Sequence, residues 1–253
     1  MVLCYYTLER RCHCVVFIFT LFLVIGDFHD EENEEENDIM TNATDCLGQL
    51  LKLTVSTGVF TPFLNDIIAP AYMPFLSSGS GAVGAQVTLQ IIATCLVDDV
   101  LEFSDPSSNN VLTSQLPGIM NLFLQNLQSQ DLVLKQCSAY GIAQMLYSFP
   151  DVCAGRAFTD IVPALTTLMQ HPEANSDDYI GITENCCYGL GIIACRYKAP
   201  EADESLYKLA RLWLDKLPLE ADDKEHKRSC SMLCDAMEKM DRHVIGRLCS
   251  LSC

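Results

Sequence analysis

Two adjacent cysteines followed by a Gly-Leu-Gly are the residues of this chain whose types could do chemistry most directly. They lie in the stretch TENCCYGLGIIA, from Thr183 to Ala194. A nucleophilic thiol needs a base, and no histidine lies nearby in the sequence. A phosphate-binding loop needs a preceding strand and further glycines, which Gly189-Leu-Gly191 lacks. We therefore interpret Cys186 and Cys187 as core residues, and the glycines as positions where two helices approach closely.

A second group with metal-binding chemistry lies nearer the carboxyl end. His226, Cys230 and Cys234 are spaced by four residues, which places them on one face of a helix. A structural zinc site takes four ligands, and no fourth is evident, while Cys12-His13-Cys14 is too compressed for tetrahedral geometry. The sequence contains no Ser-His-Asp order, no paired catalytic carboxylates and no His-Glu-x-x-His motif. We expect no enzymatic activity, no bound metal and no cofactor.

The chain is strongly acidic. Its 253 residues include 33 Asp or Glu against 16 Lys or Arg, for a net charge of −17. This charge repels nucleic acid and anionic membranes and attracts basic protein surfaces. Carboxylates in the carboxyl-terminal part are therefore predicted to bind a basic protein partner, the alternative being that they only keep helix ends solvated. The candidates are Glu201, Asp203, Glu204, Glu220, Asp222, Asp223 and Glu225.

Residues 1–26 form an apolar leader whose status the sequence leaves open. Two arginines precede the 13-residue run Cys14–Gly26, CVVFIFTLFLVIG, which is short for a membrane span but suits a signal peptide. Asn42-Ala43-Thr44 matches a glycosylation acceptor. However, the 14 cysteines are scattered through apolar stretches, which favours a reduced intracellular protein. The leader is either a secretory signal or a translated non-coding segment at a wrong or truncated start.

Two further segments follow the leader. Residues 27–38, DFHDEENEEEND, contain eight carboxylates in twelve residues, which indicates a solvated, flexible segment or an acidic loop that binds a basic partner. From residue 39 to 253 the chain reads as helices of about fifteen to twenty residues joined by short polar turns, with no strand alternation. One apolar stripe runs from Tyr179 to Tyr197 with spacings of 3, 4, 4, 3 and 4. The fold class is predicted to be all-α.

The helical region repeats. Pro70, Pro117 and Pro163 lie 47 and 46 residues apart, and each is followed by apolar residues at the same places. Ser138-Ala-Tyr-Gly-Ile and Cys186-Cys-Tyr-Gly-Leu align 48 residues apart. A proline that recurs in register marks a first helical turn or a kink. A two-helix unit of this period predicts a HEAT-type α-solenoid of about four and a half helix pairs. The predicted pairs are 39–57 with 60–78, 82–104 with 111–128, 131–148 with 155–171, 178–197 with 203–217, and 222–240 with a cut-off partner.

Several motifs in combination resemble one family. The run WLDKLPLEADDKE (Trp213 to Glu225), SAYGIAQ (Ser138 to Gln144) and TENC (Thr183 to Cys186) resemble the late HEAT repeats of the β-karyopherins, in their importin beta 3 (importin-5) branch. The acidic block before Asp38 also resembles an acidic stretch in that branch. The resemblance covers about Asp30 to Gly246, so the chain looks like a carboxy-terminal portion of a longer protein.

The resemblance implies a nuclear transport receptor without enzymatic activity. Its expected partners are basic protein cargo with a nuclear localisation signal, Ran-GTP held mainly by repeats that precede this portion, and the Phe-Gly nucleoporins. The expected location is the cytoplasm and nucleus, with the secretory pathway and a membrane contact as the alternative if the leader is a true signal peptide. The other functional hypothesis is a HEAT-repeat scaffold or adaptor subunit that holds partners without transport activity.

Overall fold

The computed structural model describes residues 48–49, 52–55, 60–68, 76, 85–103, 111–197 and 204–239, which form helices joined by turns and short irregular segments. No strand occurs in these ranges. The predicted all-α fold class is therefore confirmed. The apolar leader, the acidic segment 27–38, Glu201 and Asp203 lie outside the described residues. Among the helices that are described, none has the length and apolarity needed to cross a membrane.

The chain divides into two units, residues 1–119 and 120–253. The first contains α1 (Phe60–Phe63), the π-helix π1 (Leu64–Ile68), α2 (Ala85–Phe103) and the start of α3 (Val111–Asn126). The second contains the end of α3, followed by α4 (Leu132–Ser148), α5 (Pro150–Cys153), the π-helix π2 (Ala157–Ile161), α6 (Val162–Leu168), α7 (Ile180–Arg196), α8 (Glu204–Leu214) and α9 (Asp223–Glu238).

The helices recur at the period that the sequence predicts. α2, α4 and α7 begin at Ala85, Leu132 and Ile180, which are 47 and 48 residues apart. Side-chain caps define two of the helix starts. Asp131 Oδ1 accepts a hydrogen bond of 2.7 Å from Leu134 N, and Asp222 Oδ1 accepts from the second and third amides of α9, each at 2.8 Å. Because the first amides of a helix have no partner within it, such caps fix where the helix begins.

A π-helical turn precedes two of the three recurring prolines. π1 ends two residues before Pro70 and π2 ends two residues before Pro163, although Pro70 itself lies outside the described residues. In π2, Ile161 N donates to the Arg156 carbonyl oxygen at 3.1 Å, five residues back. A proline ring collides with the carbonyl four residues before it, and a widened turn relieves that collision. Pro163 thus lies in a first turn, one of the two placements predicted for these prolines, whereas Pro117 lies inside α3.

α4 and α7 pack side by side in parallel. Near their beginnings, Asn185 Nδ2 donates to the Gln136 carbonyl oxygen at 3.1 Å. At their ends, the Tyr197 hydroxyl donates to the Leu146 carbonyl oxygen at 2.9 Å. The partners are 49 and 51 residues apart, so the two helices run in the same direction with an offset close to one sequence repeat.

α7 is the central helix of the second unit. It packs against α4, α6, α8 and α9, and every residue from Gly181 to Ala194 is buried. The predicted single apolar stripe therefore describes only part of what α7 buries. The reason is its composition: small glycine and cysteine residues between the large apolar ones let helices approach from several sides.

The two glycines of α7 each face another helix closely. A Cβ atom at Gly189 would lie 3.1 Å from Leu165 Cδ1, and one at Gly191 would lie 2.5 Å from Trp213 Cγ. Trp213 is fully buried, so its indole ring is enclosed by the protein and does not border solvent. The prediction that these glycines permit close helix packing is confirmed, and the requirement is stronger at Gly191.

Replacing Gly191 with alanine is expected to lower the free energy of unfolding by about 1–3 kcal/mol, because the added methyl group overlaps the indole. This occurs although alanine favours a helix over glycine by about 1 kcal/mol. Urea unfolding followed by circular dichroism measures the change. Gly118→Ala in α3 is the matched control, since Gly118 has no heavy atom within 4 Å of its Cβ position. That variant is expected to be as stable as the unsubstituted chain or more so, and equal effects of the two substitutions would contradict the close packing.

Candidate functional site

The adjacent thiols of α7 are buried and unsuited to nucleophilic chemistry. Cys186 and Cys187 are both 0% exposed. Burial raises the pKa of Cys186 well above its ordinary value, with further contributions from Cys187 and Glu225. Burial likewise raises the pKa of Cys187 to about 12. Since the thiolate is the reactive form, these thiols remain protonated at neutral pH. The interpretation of both cysteines as core residues is confirmed.

The three possible metal ligands lie on α9. Cys230 and Cys234 are exposed, and Cys230 Sγ lies 3.6 Å from His226 Nε2. Over the described ranges, no group of three or more His, Cys, Asp or Glu side chains is arranged to hold a metal ion. The helix thus brings His226 and Cys230 together as a pair.

The acidic candidates occupy different environments. Glu204 is exposed and forms an ion pair of 2.8 Å with Lys208. Glu220 and Asp223 are exposed, and Asp223 lies 3.8 Å from Lys227. These carboxylates are on the surface, where a partner can reach them. Ion pairs at such exposed positions contribute little to stability.

Two of the acidic candidates have structural contacts instead. Asp222 is half-buried and caps the first turn of α9. Glu225 is 0% exposed, so its carboxylate does not lie on the surface with the others. The predicted binding cluster therefore reduces, among its described members, to Glu204, Glu220 and Asp223 at the surface, with Asp222 at its edge.

A buried carboxylate from α7 holds the loop that carries the acidic residues. Glu184 is 6% exposed, and its Oε2 accepts hydrogen bonds from Glu220 N at 2.8 Å and from Ala221 N at 2.7 Å. Charge-assisted hydrogen bonds of this kind are about twice as strong as neutral ones. Together with the Asp222 cap, they fix the backbone of residues 220–225 and hence the directions of the Glu220 and Asp223 side chains.

The carboxyl group of Glu225, at the end of this loop, is buried without hydrogen bonds. Both of its carboxylate oxygens are buried and have no partner among the described residues. Burial, with a further contribution from the nearby carboxylates of Asp222 and Glu184, raises the pKa of Glu225 to about 8, although Arg228 and Lys224 act in the opposite direction. The side chain is therefore largely protonated at neutral pH.

Arg228, whose charge influences Glu225, joins α9 to α4. Its Nη1 donates to Gln144 Oε1 at 2.8 Å, and its Cζ lies 4.4 Å from the centre of the Tyr147 ring. Arg196 of α7 lies over the same ring at 4.1 Å. A cation over an aromatic face is attracted by the ring's electron density, most strongly where water is excluded. This polar cluster therefore links α9 to α4 and α7.

The buried position of Glu225 can be recognised from the spacing of residues in α9, although its charge suggests an exposed position. The buried residues of α9 are Glu225, Ser229, Met232 and Ala236, whose spacings of 4, 3 and 4 are those of one helical face. Glu184 has no comparable signal, because its role depends on a loop 36 residues away.

Comparisons with known proteins add no assignment to these residues: no protein-family model and no solved structure matches the chain.

Proposed function

We propose that this chain is a portion of a β-karyopherin-type transport receptor, of the importin beta 3 branch, that binds basic protein cargo. The motifs in Trp213 to Glu225, Ser138 to Gln144 and Thr183 to Cys186 supply the family resemblance. Three structural observations support the repeat architecture in this proposal: α2, α4 and α7 begin 47 and 48 residues apart, a π-helical turn precedes two of the recurring prolines, and α4 packs in parallel on α7 with an offset of about one repeat. These are the features expected of stacked helical repeats.

The observation that carries the binding proposal is the fixed acidic loop before α9. Glu184 anchors its backbone from within, so that Glu220 and Asp223 project from an ordered segment. An ordered site loses less conformational freedom on binding than a mobile one, and this favours affinity. The loop thus offers lysine and arginine side chains carboxylates at fixed positions.

The net charge contributes at longer range. A charge of −17 attracts basic segments before contact and raises the rate of association, an effect that falls with ionic strength. In this proposal the electrostatic field of the whole protein attracts the cargo, and the carboxylates of the loop bind it. The release of cargo by Ran-GTP and the contacts with Phe-Gly nucleoporins belong to the proposal through the family resemblance alone.

Pull-down experiments distinguish this proposal from a HEAT scaffold without transport activity. An immobilised lysine-rich localisation peptide and immobilised Ran-GTP are each incubated with the full chain and with a version extended upstream. We expect the chain to bind the peptide and the extended version to bind Ran-GTP as well. If neither protein binds either ligand, the transport proposal fails and the scaffold hypothesis gains support.

A further inference from the structure

Within the polar cluster of α9, a carboxyl group and an arginine are close neighbours that form no hydrogen bond with each other. Glu225 and Arg228 are three residues apart, and this spacing places two side chains side by side on a helix. Both carboxyl oxygens of Glu225 are buried and lack a hydrogen-bond partner in the part of the chain that the structure describes. The Arg228 guanidinium instead donates to Gln144 Oε1 at 2.8 Å and lies over the Tyr147 ring, both in α4. Arg228 therefore links α9 to α4 and leaves the adjacent carboxyl group unpaired.

The titratable and charged groups that act on Glu225 come from α7, α9 and the cap of α9. They are Glu184, Cys186 and Tyr188 of α7, the capping residue Asp222, and Lys224 and Arg228 of α9. Burial, with a contribution from the two carboxylates, raises the pKa of Glu225 to about 8, so the carboxyl group ionises in alkaline solution. Of the two cations, Lys224 is adjacent in sequence, and adjacent residues of a helix do not face each other. Arg228 is therefore the cation placed to pair with the ionised group.

We propose that Glu225 and Arg228 form a proton-operated switch: the first two turns of α9 are held against α4 while Glu225 is protonated and are released when it ionises. In the protonated state Arg228 binds Gln144 and Tyr147. Loss of the proton to water leaves a buried negative charge, which costs far more without a partner than a hydrogen bond to a glutamine contributes. Arg228 then turns from Gln144 to the Glu225 carboxylate, and the link to α4 is lost. The switch does not depend on the proposed transport function.

Trp213 is a built-in reporter of the position of α9. It is the sole tryptophan of the chain and is 0% exposed, and its Nε1 lies 3.5 Å from Oγ of Ser229, the residue after Arg228. Movement of these turns admits water to the indole, which shifts its fluorescence emission to longer wavelength. We expect the emission maximum of the full chain to shift in one reversible step centred near pH 8, with the helical circular dichroism spectrum retained. An emission maximum that stays constant between pH 6 and pH 9.5, or a shift that accompanies loss of helix, would overturn the proposal.

Two variants identify the groups responsible. Glu225→Gln keeps the size of the side chain and cannot ionise, so we expect it to show no step, whereas Glu220→Gln in the exposed loop retains the step near pH 8. Gln144→Leu removes the competing acceptor in α4 and is expected to move the step to lower pH, because Arg228 then pairs more readily with the carboxylate. A step that persists in Glu225→Gln, or one that Gln144→Leu leaves at the same pH, would overturn the proposal. Should either variant fail to fold, the titration of the unsubstituted chain decides.

Discussion

Replacing Glu225 with glutamine is expected to stabilise the protein at pH 8 and to leave its stability nearly unchanged at pH 5. The side chain is buried, and both of its oxygens lack hydrogen-bond partners among the described residues. At pH 5 the carboxyl group is protonated in the folded state, so it resembles the neutral carboxamide of glutamine in size and charge. At pH 8 the carboxylate is partly ionised inside the protein, whereas the carboxamide remains neutral.

The direction of the pH dependence follows from the two pKa values. In the folded protein the pKa of Glu225 is raised to about 8, against an ordinary value of 4.5. Between these values the folded state holds the proton more tightly than the unfolded state does. The contribution of this group to stability is therefore complete below about pH 4.5 and is lost as the pH rises towards 8. At 1.36 kcal/mol for each pKa unit, the loss is on the order of 5 kcal/mol.

Urea unfolding of both proteins at pH 5, 6, 7 and 8 measures this effect. We expect the difference between Glu225→Gln and the unsubstituted chain to grow with pH. Glu220→Gln is the matched control, because it makes the same chemical change at an exposed position of the neighbouring loop. It is expected to change stability by less than about 0.5 kcal/mol. A Glu225→Gln effect that is the same at all four pH values would contradict the buried, protonated carboxyl group.

Truncating Trp213 to alanine is expected to lower the free energy of unfolding by about 3–5 kcal/mol, the usual cost of removing a buried aromatic side chain. Trp213 is 0% exposed, and its indole ring lies against Gly191 of α7. Its Nε1 also lies 3.5 Å from Ser229 Oγ of α9. The substitution therefore leaves a cavity between three helices and removes a polar contact of a buried serine.

Circular dichroism in urea is the suitable measurement, because Trp213 is the sole tryptophan and its removal abolishes the intrinsic tryptophan fluorescence. Leu212→Ala is the control from the same helix, since Leu212 is 39% exposed. We expect the control to cost much less than Trp213→Ala. In the double variant Gly191→Ala/Trp213→Ala the alanine methyl group no longer overlaps the indole, so the two costs are expected to be less than additive. Full additivity would show that the two residues do not pack against each other.

The positions of the helices follow from the sequence, but the burial of α7 does not. Turn residues and caps such as Asp131 and Asp222 define where helices begin, and the 47-residue recurrence is visible in the prolines. These signals are local, so they can be recognised in one sequence. The environment of α7 depends on four helices that pack around it. The spacing of apolar residues between Tyr179 and Tyr197 indicates that one face of α7 is buried. The other faces of α7 are buried by helices that are distant in the sequence.

The sequence shows where the acidic side chains lie along the chain but not how the fold arranges them. Charge alone places Glu220, Asp223 and Glu225 in one class, yet the first two are exposed and the third is buried. Glu225 is removed from water because it is the first residue on the buried face of α9. Its helical spacing to Ser229 and Met232 indicates that it shares their face, even though it is charged. The anchoring of the loop by Glu184 comes from the fold, since it joins residues 36 and 37 positions apart.

The most direct test of the proposed function is the affinity of the full chain for a lysine-rich localisation peptide, measured by fluorescence anisotropy. The decisive comparison is between Glu220→Gln/Asp223→Asn, which neutralises the fixed loop, and Asp235→Asn/Glu238→Gln, which removes the same charge from exposed positions of α9. Two charge-assisted contacts predict that the loop variant binds about tenfold more weakly than the control variant. Equal affinities of the two variants, or no binding by the unsubstituted chain, would contradict the acidic loop as the site for basic cargo.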